Sequence, residues 1–188
     1  NWTFILVEQN IIHLCIRGDR EATKSLYQQC APYVFAIIKN YFVEDDDRKD
    51  AMQEVFAQIY TSLKNFDFTK GTFQNWLSRL AVNQCATLIR KSKKISFVYS
   101  LETFDVPDVP SGFLDHLDVT DLENMLKNMP VGYKTIFLLS VIDEYTHKEI
   151  SDLLGISQET SRSQLFRALK WIKNNILTDS KMLQYGLF

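Results

Sequence analysis

Apolar residues recur along the first half of the chain at intervals of three and four, the signature of helices with one buried stripe. Ile5, Ile12 and Ile16, with polar residues between them, predict a helix over residues 4–16. Gly18 ends it, and Asp19 is placed to cap a second helix that runs to about Cys30. Pro32 suits the first turn of a third, over 32–42. The acids from Glu44 to Asp47 favour the positive end of a fourth helix. Its stripe is Met52, Val55, Phe56, Ile59, Tyr60 and Leu63. A loop with Asp67, Thr69, Lys70 and Gly71 follows. Thr72 then caps a helix whose inward positions are Phe73, Trp76, Leu77, Leu80, Ala81 and Leu88, and which ends in the basic run RKSKK.

The pattern breaks over residues 95–118. Pro107, Pro110 and the Ser111-Gly112 pair mark a linker and domain boundary, although Phe97, Tyr99, Leu101 and Phe104 give part of it apolar surface to pack. Thr120 and Glu123 have capping-box spacing, and helices are expected over 121–127 and 130–142. Residues 143–171 read as a helix-turn-helix. Thr146 and Glu149 form a second capping box, Gly155 stands where the chain must turn, and Ser157 can cap the next helix with Thr160 near its third position. Ile150, Leu153, Leu154 and Ile156 are expected to pack on Leu165, Leu169 and Ile172. Arg162, Ser163, Phe166 and Arg167 are left on the outer face, as a DNA-reading helix requires. Glu159, which would repel phosphate, is expected to face away.

These elements define an all-α chain of two small helical domains, residues 1–94 and 119–177. Residues 95–118 join them, and a tail over 178–188 has no readable role. Low Gly and Pro counts, 6 and 4 in 188 residues, agree with helices rather than a turn-rich β fold. The three cysteines, Cys15, Cys30 and Cys85, sit far apart among apolar neighbours, which favours reduced core residues over a disulfide or metal site. No metal-ligand spacing, catalytic triad or phosphate loop stands out, so no cofactor, metal or enzyme is expected. The absence of a long apolar run argues against membrane insertion. The opening WTFILV lacks the basic start of a signal peptide, and a reducing cytoplasm is the simplest location.

A net charge of −2 is modest for a DNA binder, but its distribution is uneven. Residues 68–101 carry six basic side chains and no acid, and residues 102–123 carry seven acids and no Lys or Arg. Beyond Gln164, four basic residues face only Asp179. Two basic zones therefore flank an acidic spacer.

The order of these pieces resembles bacterial RNA polymerase sigma factors of the extracytoplasmic-function (ECF) group, over residues 8–175. IRGDREATKSLYQQCAPYVFAIIKNYF, DAMQEVFAQIYTSLKNF and GTFQNWLSRLAVNQCATLIRK look like successive parts of sigma region two. LKNMPVGYKTIFLLSVIDEYTHKEISDLLGISQETSRSQLFRAL looks like region four. The resemblance implies a protein without chemistry of its own. It would bind core RNA polymerase, recognise promoter DNA at two elements, help open the duplex, and leave after initiation. Separately, the seven-acid segment between two basic zones leads to the expectation that the acidic linker or an anti-sigma partner masks the basic faces of the free protein.

The resemblance also implies roles for residues. Asp50, Gln53, Glu54 and Phe56, in DAMQEVF, correspond to the main polymerase contact; the first three share a helical face. Asp67, Thr69, Lys70, Thr72 and Asn83 match positions that read the minus-ten element, where an amide can donate to and accept from a base edge. Arg79, Arg90 and Lys91, with Lys93 and Lys94, would grip phosphates. Phe73 and Trp76 are read as core rather than strand-melting residues. Arg162, Ser163, Phe166 and Arg167 would read the minus-thirty-five element, with Thr160 on phosphate. Ser151 and Ser161 depart from the commoner pattern of alanine and an aliphatic residue. A free-standing helix-turn-helix regulator is the alternative, but it has no need of DAMQEVF or of the basic helix over 76–94. A sigma-like protein acting only by protein contacts has no need of Arg162 and Arg167.

Overall fold

Asp19 shows how local chemistry starts the elements of this fold. In the computed structural model its carboxylate accepts from the backbone N–H of Ala22 at 2.8 Å and opens the long helix α2. The structure describes residues 7–92 and 119–177, with side chains from 124 to 175 in the second segment, and every regular element there is helical. The expected linker, the tail, Lys93, Lys94 and the start of the first expected helix lie outside the described residues. So do the side chains of the Thr120–Glu123 box. The chain forms two compact units, Asn1–Ile89 and Arg90–Phe188.

The first unit contains α1 (Gln9–Ile16), α2 (Arg20–Tyr41), α3 (Asp45–Ser62) with a single 3-10 turn (Leu63–Asn65), and α4 (Phe73–Lys91), whose last two residues fall beyond the division. One expectation is overturned here. Residues 20–41 form a single helix, with Pro32 inside it, and not two helices separated near Cys30. Proline removes one i→i−4 hydrogen bond and crowds the preceding turn. The buried stripe is nevertheless continuous on both sides of it: Ala22, Leu26, Cys30, Tyr33, Val34, Ile37, Ile38 and Tyr41. Pro32 itself is exposed, so breaking the helix would misalign that stripe while relieving only a local defect. Arg48 secures the next turn by donating from Nε to the Phe42 carbonyl at 3.0 Å and pairing with Asp45 at 2.8 Å.

Thr72 caps α4 as expected, accepting from Asn75 N–H at 3.2 Å. The helix buries Phe73, Leu77, Ala81, Val82, Cys85, Ala86 and Ile89, whereas Trp76, Leu80 and Leu88 are only half-buried. Cys30 and Cys85 are free and buried. Burial pushes the Cys30 thiol up to about 12, which keeps it an unreactive core group.

The second unit contains α5 (Val119–Asn128), α6 (Val131–Phe137) continued by a π-helical segment (Leu138–Ile142), α7 (His147–Leu154) and α8 (Gln158–Leu177). The chain leaves the π segment through wide bonds, Asp143 N–H to Leu138 O at 2.9 Å and Tyr145 N–H to Leu139 O at 2.8 Å. Met129, Phe137, Ala168 and Ile172 make a core cluster, with Leu165, Leu169 and Trp171 packed against it. The aliphatic residues of α8 thus join Met129 and Phe137 in this cluster, and α7 also packs on α8, with Ile150, Leu154 and Ile156 buried. Among the described residues, no helix is long and apolar enough to cross a membrane.

Candidate nucleic-acid interface

The turn between α7 and α8 is built as its residues dictate. Thr146 accepts from Glu149 N–H at 3.2 Å, while the Glu149 carboxylate accepts from Thr146 N–H at 2.8 Å, a complete capping box. Gly155 adopts φ 69°, ψ 37°, the left-handed conformation that a β-carbon disfavours, and its N–H closes α7 on Ser151 O at 2.9 Å. Ser157 then accepts from Thr160 N–H at 3.0 Å and starts α8.

The inward residues of α8 are Ser161, Gln164, Ala168 and Ile172. At about 100° per residue they span an arc of about 80°, and Arg162, Ser163, Phe166 and Arg167 occupy an arc centred almost opposite. Arg162 is exposed; Ser163, Phe166, Arg167 and Thr160 are half-buried. Ser163 donates to Thr160 O at 3.0 Å, which holds its hydroxyl against the helix. Glu159 does not face away. Its carboxylate lies 3.6 Å from the Arg162 guanidinium, which also reaches Gln158 at 3.3 Å. Hydrogen bonds from backbone N–H and Ser157 at the start of α8 hold the Glu159 carboxyl below the usual range, and Arg162 adds to this.

The two serines that depart from the apolar pattern are both hydrogen-bonded across the motif. Ser151 donates to Ile156 O, and Ser161 pairs with His147 Nδ1 at 2.9 Å. Sequence reasoning passed over His147. The signal for it was a polar residue, Ser161, at an inward position of α8, which requires a partner from elsewhere.

In the first unit, Asp67 organises the loop before α4. Its Oδ1 accepts from Thr69 N–H at 2.9 Å and from the Thr69 hydroxyl at 2.7 Å, and Lys70 lies 3.7 Å from Oδ2. These bonds hold the Asp67 carboxyl below its ordinary value. Behind the loop the ring of Phe66 packs on Phe68, Phe73 and Trp76 at centroid distances of 4.7, 5.4 and 5.3 Å. Phe73 is buried and Trp76 half-buried, so Phe73 belongs to the core and Trp76 to its rim. Thr69, Lys70, Thr72, Arg79, Asn83, Arg90 and Lys91 are exposed. Arg79, Asn83 and Arg90 fall within about 40° of one another around α4, and Lys91 lies roughly 100° off that stripe.

On α3, Asp50, Gln53 and Glu54 are exposed on a common face. Gln84 of α4 reaches the Glu54 carboxylate at 3.5 Å. Phe56 differs from these three: it is only 5% exposed, with its ring 4.5 Å from that of Tyr27. It packs in the core against α2 and offers little surface of its own.

Comparison with known proteins gives this arrangement a family. Residues 26–95 match the model for Sigma-70 region 2, and residues 120–172 match that for Sigma-70, region 4. The chain is 28% identical over 158 residues to RNA polymerase sigma factor SigV of Bacillus subtilis, covering 82% of this chain and 93% of that protein. It is 24% identical to ECF RNA polymerase sigma factor SigW of Bacillus subtilis, covering 85% and 91% respectively. It is 25% identical to ECF RNA polymerase sigma factor SigE of Mycolicibacterium smegmatis, covering 87% of this chain and 66% of that protein. The chain belongs to the sigma-70 family, as a sigma factor of the ECF group.

Proposed function

We propose that this sigma factor binds core RNA polymerase through the α3 face of Asp50, Gln53 and Glu54, with Phe56 as its apolar support, and directs transcription initiation at promoters with two recognised elements. The observation that carries this reading is the pairing of regions two and four in order along the chain, together with an α8 whose polar and basic arc lies opposite its buried one. Residues 1–94 and 119–177 are the two working domains, and residues 95–118 are their acidic linker.

The minus-ten element is met by the Asp67–Thr72 loop and the outer stripe of α4. Asn83 reads a base edge. Arg79, Arg90 and Lys91 hold phosphates and set the register of the duplex. The minus-thirty-five element is met by Arg162, Ser163, Phe166 and Arg167 in the major groove, with Thr160 on the backbone. The work is binding rather than catalysis, it takes place in the cytoplasm, and it requires no cofactor. The acidic linker, or an anti-sigma factor, covers the basic zones when the protein is idle.

The test is selection of promoter fragments by holoenzyme reconstituted from core polymerase and this chain, followed by sequencing. Two conserved blocks at constant separation support the reading, and Asn83→Ala erodes the downstream block alone. Retention of a single block by the chain without polymerase favours a free-standing regulator.

A further inference from the structure

Ser161 is 0% exposed, on the inward side of α8, and a hydroxyl there must be paired or lose the hydration it gave up. His147 supplies the pairing from the first turn of α7, with Nδ1 at 2.9 Å. The backbone on either side of His147 is fixed, because Thr146 and Glu149 close the capping box around it. The imidazole is therefore a short arm from a rigid helix start to a buried point on α8. Burial, and then Arg162, hold the ring below the ordinary histidine range, so it is neutral near pH 7 and either member of the pair can donate.

The residue after Ser161 is Arg162, and on a helix that single step is a turn of about 100°. Whatever fixes the direction of Ser161 also fixes the direction of Arg162. Aliphatic contacts resist rotation of a helix weakly, whereas a hydrogen bond is directional and weakens steeply off its axis. Leu165 and Leu169 of α8 pack against the Met129–Phe137 cluster, further along the helix. In the first turn of α8 the buried residue is Ser161, and the directional contact of its side chain is with His147.

We propose that His147 is a positioning residue for upstream-element recognition: through Ser161 it sets the rotation of α8 that aims Arg162 and Phe166 at the DNA. This rests on the reading that α8 enters the major groove at the minus-thirty-five element. His147 needs no contact with a base to act.

The test uses holoenzyme reconstituted with the full chain and two DNA fragments from the promoter selection, one intact and one with the upstream element scrambled. The readout is the ratio of affinities for the two fragments, which is unchanged if a variant merely lowers the amount of active protein. His147→Ala and Ser161→Ala are each expected to shrink that ratio about fivefold to tenfold, and the double variant is expected to shrink it no further, because both remove one coupling. His147→Asn, whose amide can replace Nδ1, is expected to recover most of the loss, and it carries the test if His147→Ala does not fold. An unchanged ratio in His147→Ala, or losses that multiply in the double variant, overturns the proposal. If the unmodified holoenzyme fails to distinguish the two fragments, the groove-reading assignment of α8 falls first and takes this one with it.

Discussion

Glu159 and Arg162 lie one turn apart on the exposed start of α8, carboxylate to guanidinium at 3.6 Å, with side chains 81% and 56% exposed. A pair this open to water contributes little to stability, because solvent screens it. Its consequence is for binding: a negative charge stands beside an arginine proposed to read DNA. Glu159→Gln should raise the affinity of the holoenzyme for promoter and non-promoter duplex alike, by about threefold at low salt and less as salt rises. Filter binding across a salt series checks this. A gain confined to one promoter sequence would mean that Glu159 also takes part in selection.

Asp67 is expected to serve the minus-ten element by ordering its loop. Its folded carboxyl titrates below its ordinary value, so the order it confers is complete above the unfolded carboxylate range, near pH 4, and is lost as pH falls through the lowered folded value. Asp67→Ala should remove that order at neutral pH. Amide hydrogen exchange at Thr69 should quicken in the variant, while exchange within α4 stays unchanged.

His147 carries the opposite chemistry. Its folded value is lowered by burial and then by Arg162, whose own partner is Glu159 on the same helix. The unfolded chain therefore takes up the proton first as pH falls. The stabilising contribution of the neutral ring is present above about pH 6.5 and declines below it, levelling off beneath the folded value. Urea unfolding of the second unit, followed between pH 5 and 8 in the full chain, should show this slope, and His147→Asn should flatten it.

Pro32 should be a site of stored instability. It lies on the exposed side of α2 with a continuous buried stripe on both sides. Pro32→Ala restores a backbone donor toward Gln28 O and relieves the clash, which is expected to stabilise the first unit by about 1–3 kcal/mol. Thermal unfolding checks the sign: a lower melting temperature would mean that proline at position 32 is needed for packing.

The features legible in the sequence were those decided within a few residues. Asp19, Thr72, Thr146, Gly155 and Ser157 each act on a backbone group three or four positions away, and each stands in the structure where that chemistry puts it. The misreadings arose where a distant partner decided the outcome. Pro32 carries a strong local signal for a helix start, but eight buried residues on one stripe outweigh it. Leu88 and Ile89 are equally apolar, and only packing selects Ile89 for the core. Ser161 and Gln164 are polar by composition and buried by position. Nothing within a few residues of Ser161 reveals that His147, fourteen positions earlier, completes it. Phe56 stands both in the apolar stripe and in the DAMQEVF motif, and the structure decides for the stripe: its ring packs on that of Tyr27 in the core.

The central claim is that the exposed face of α3 joins this chain to RNA polymerase while α8 serves a separate task. Co-elution of the full chain with purified core RNA polymerase on a sizing column tests it most directly, with Gln53→Ala/Glu54→Ala and Arg167→Ala run beside it. The account predicts a stable complex that the double α3 variant weakens by about tenfold or more and that Arg167→Ala leaves intact, since α8 belongs to the other unit and supplies none of the polar groups of that interface. A chain that fails to co-elute with core polymerase but binds duplex DNA sequence-specifically by itself would contradict it.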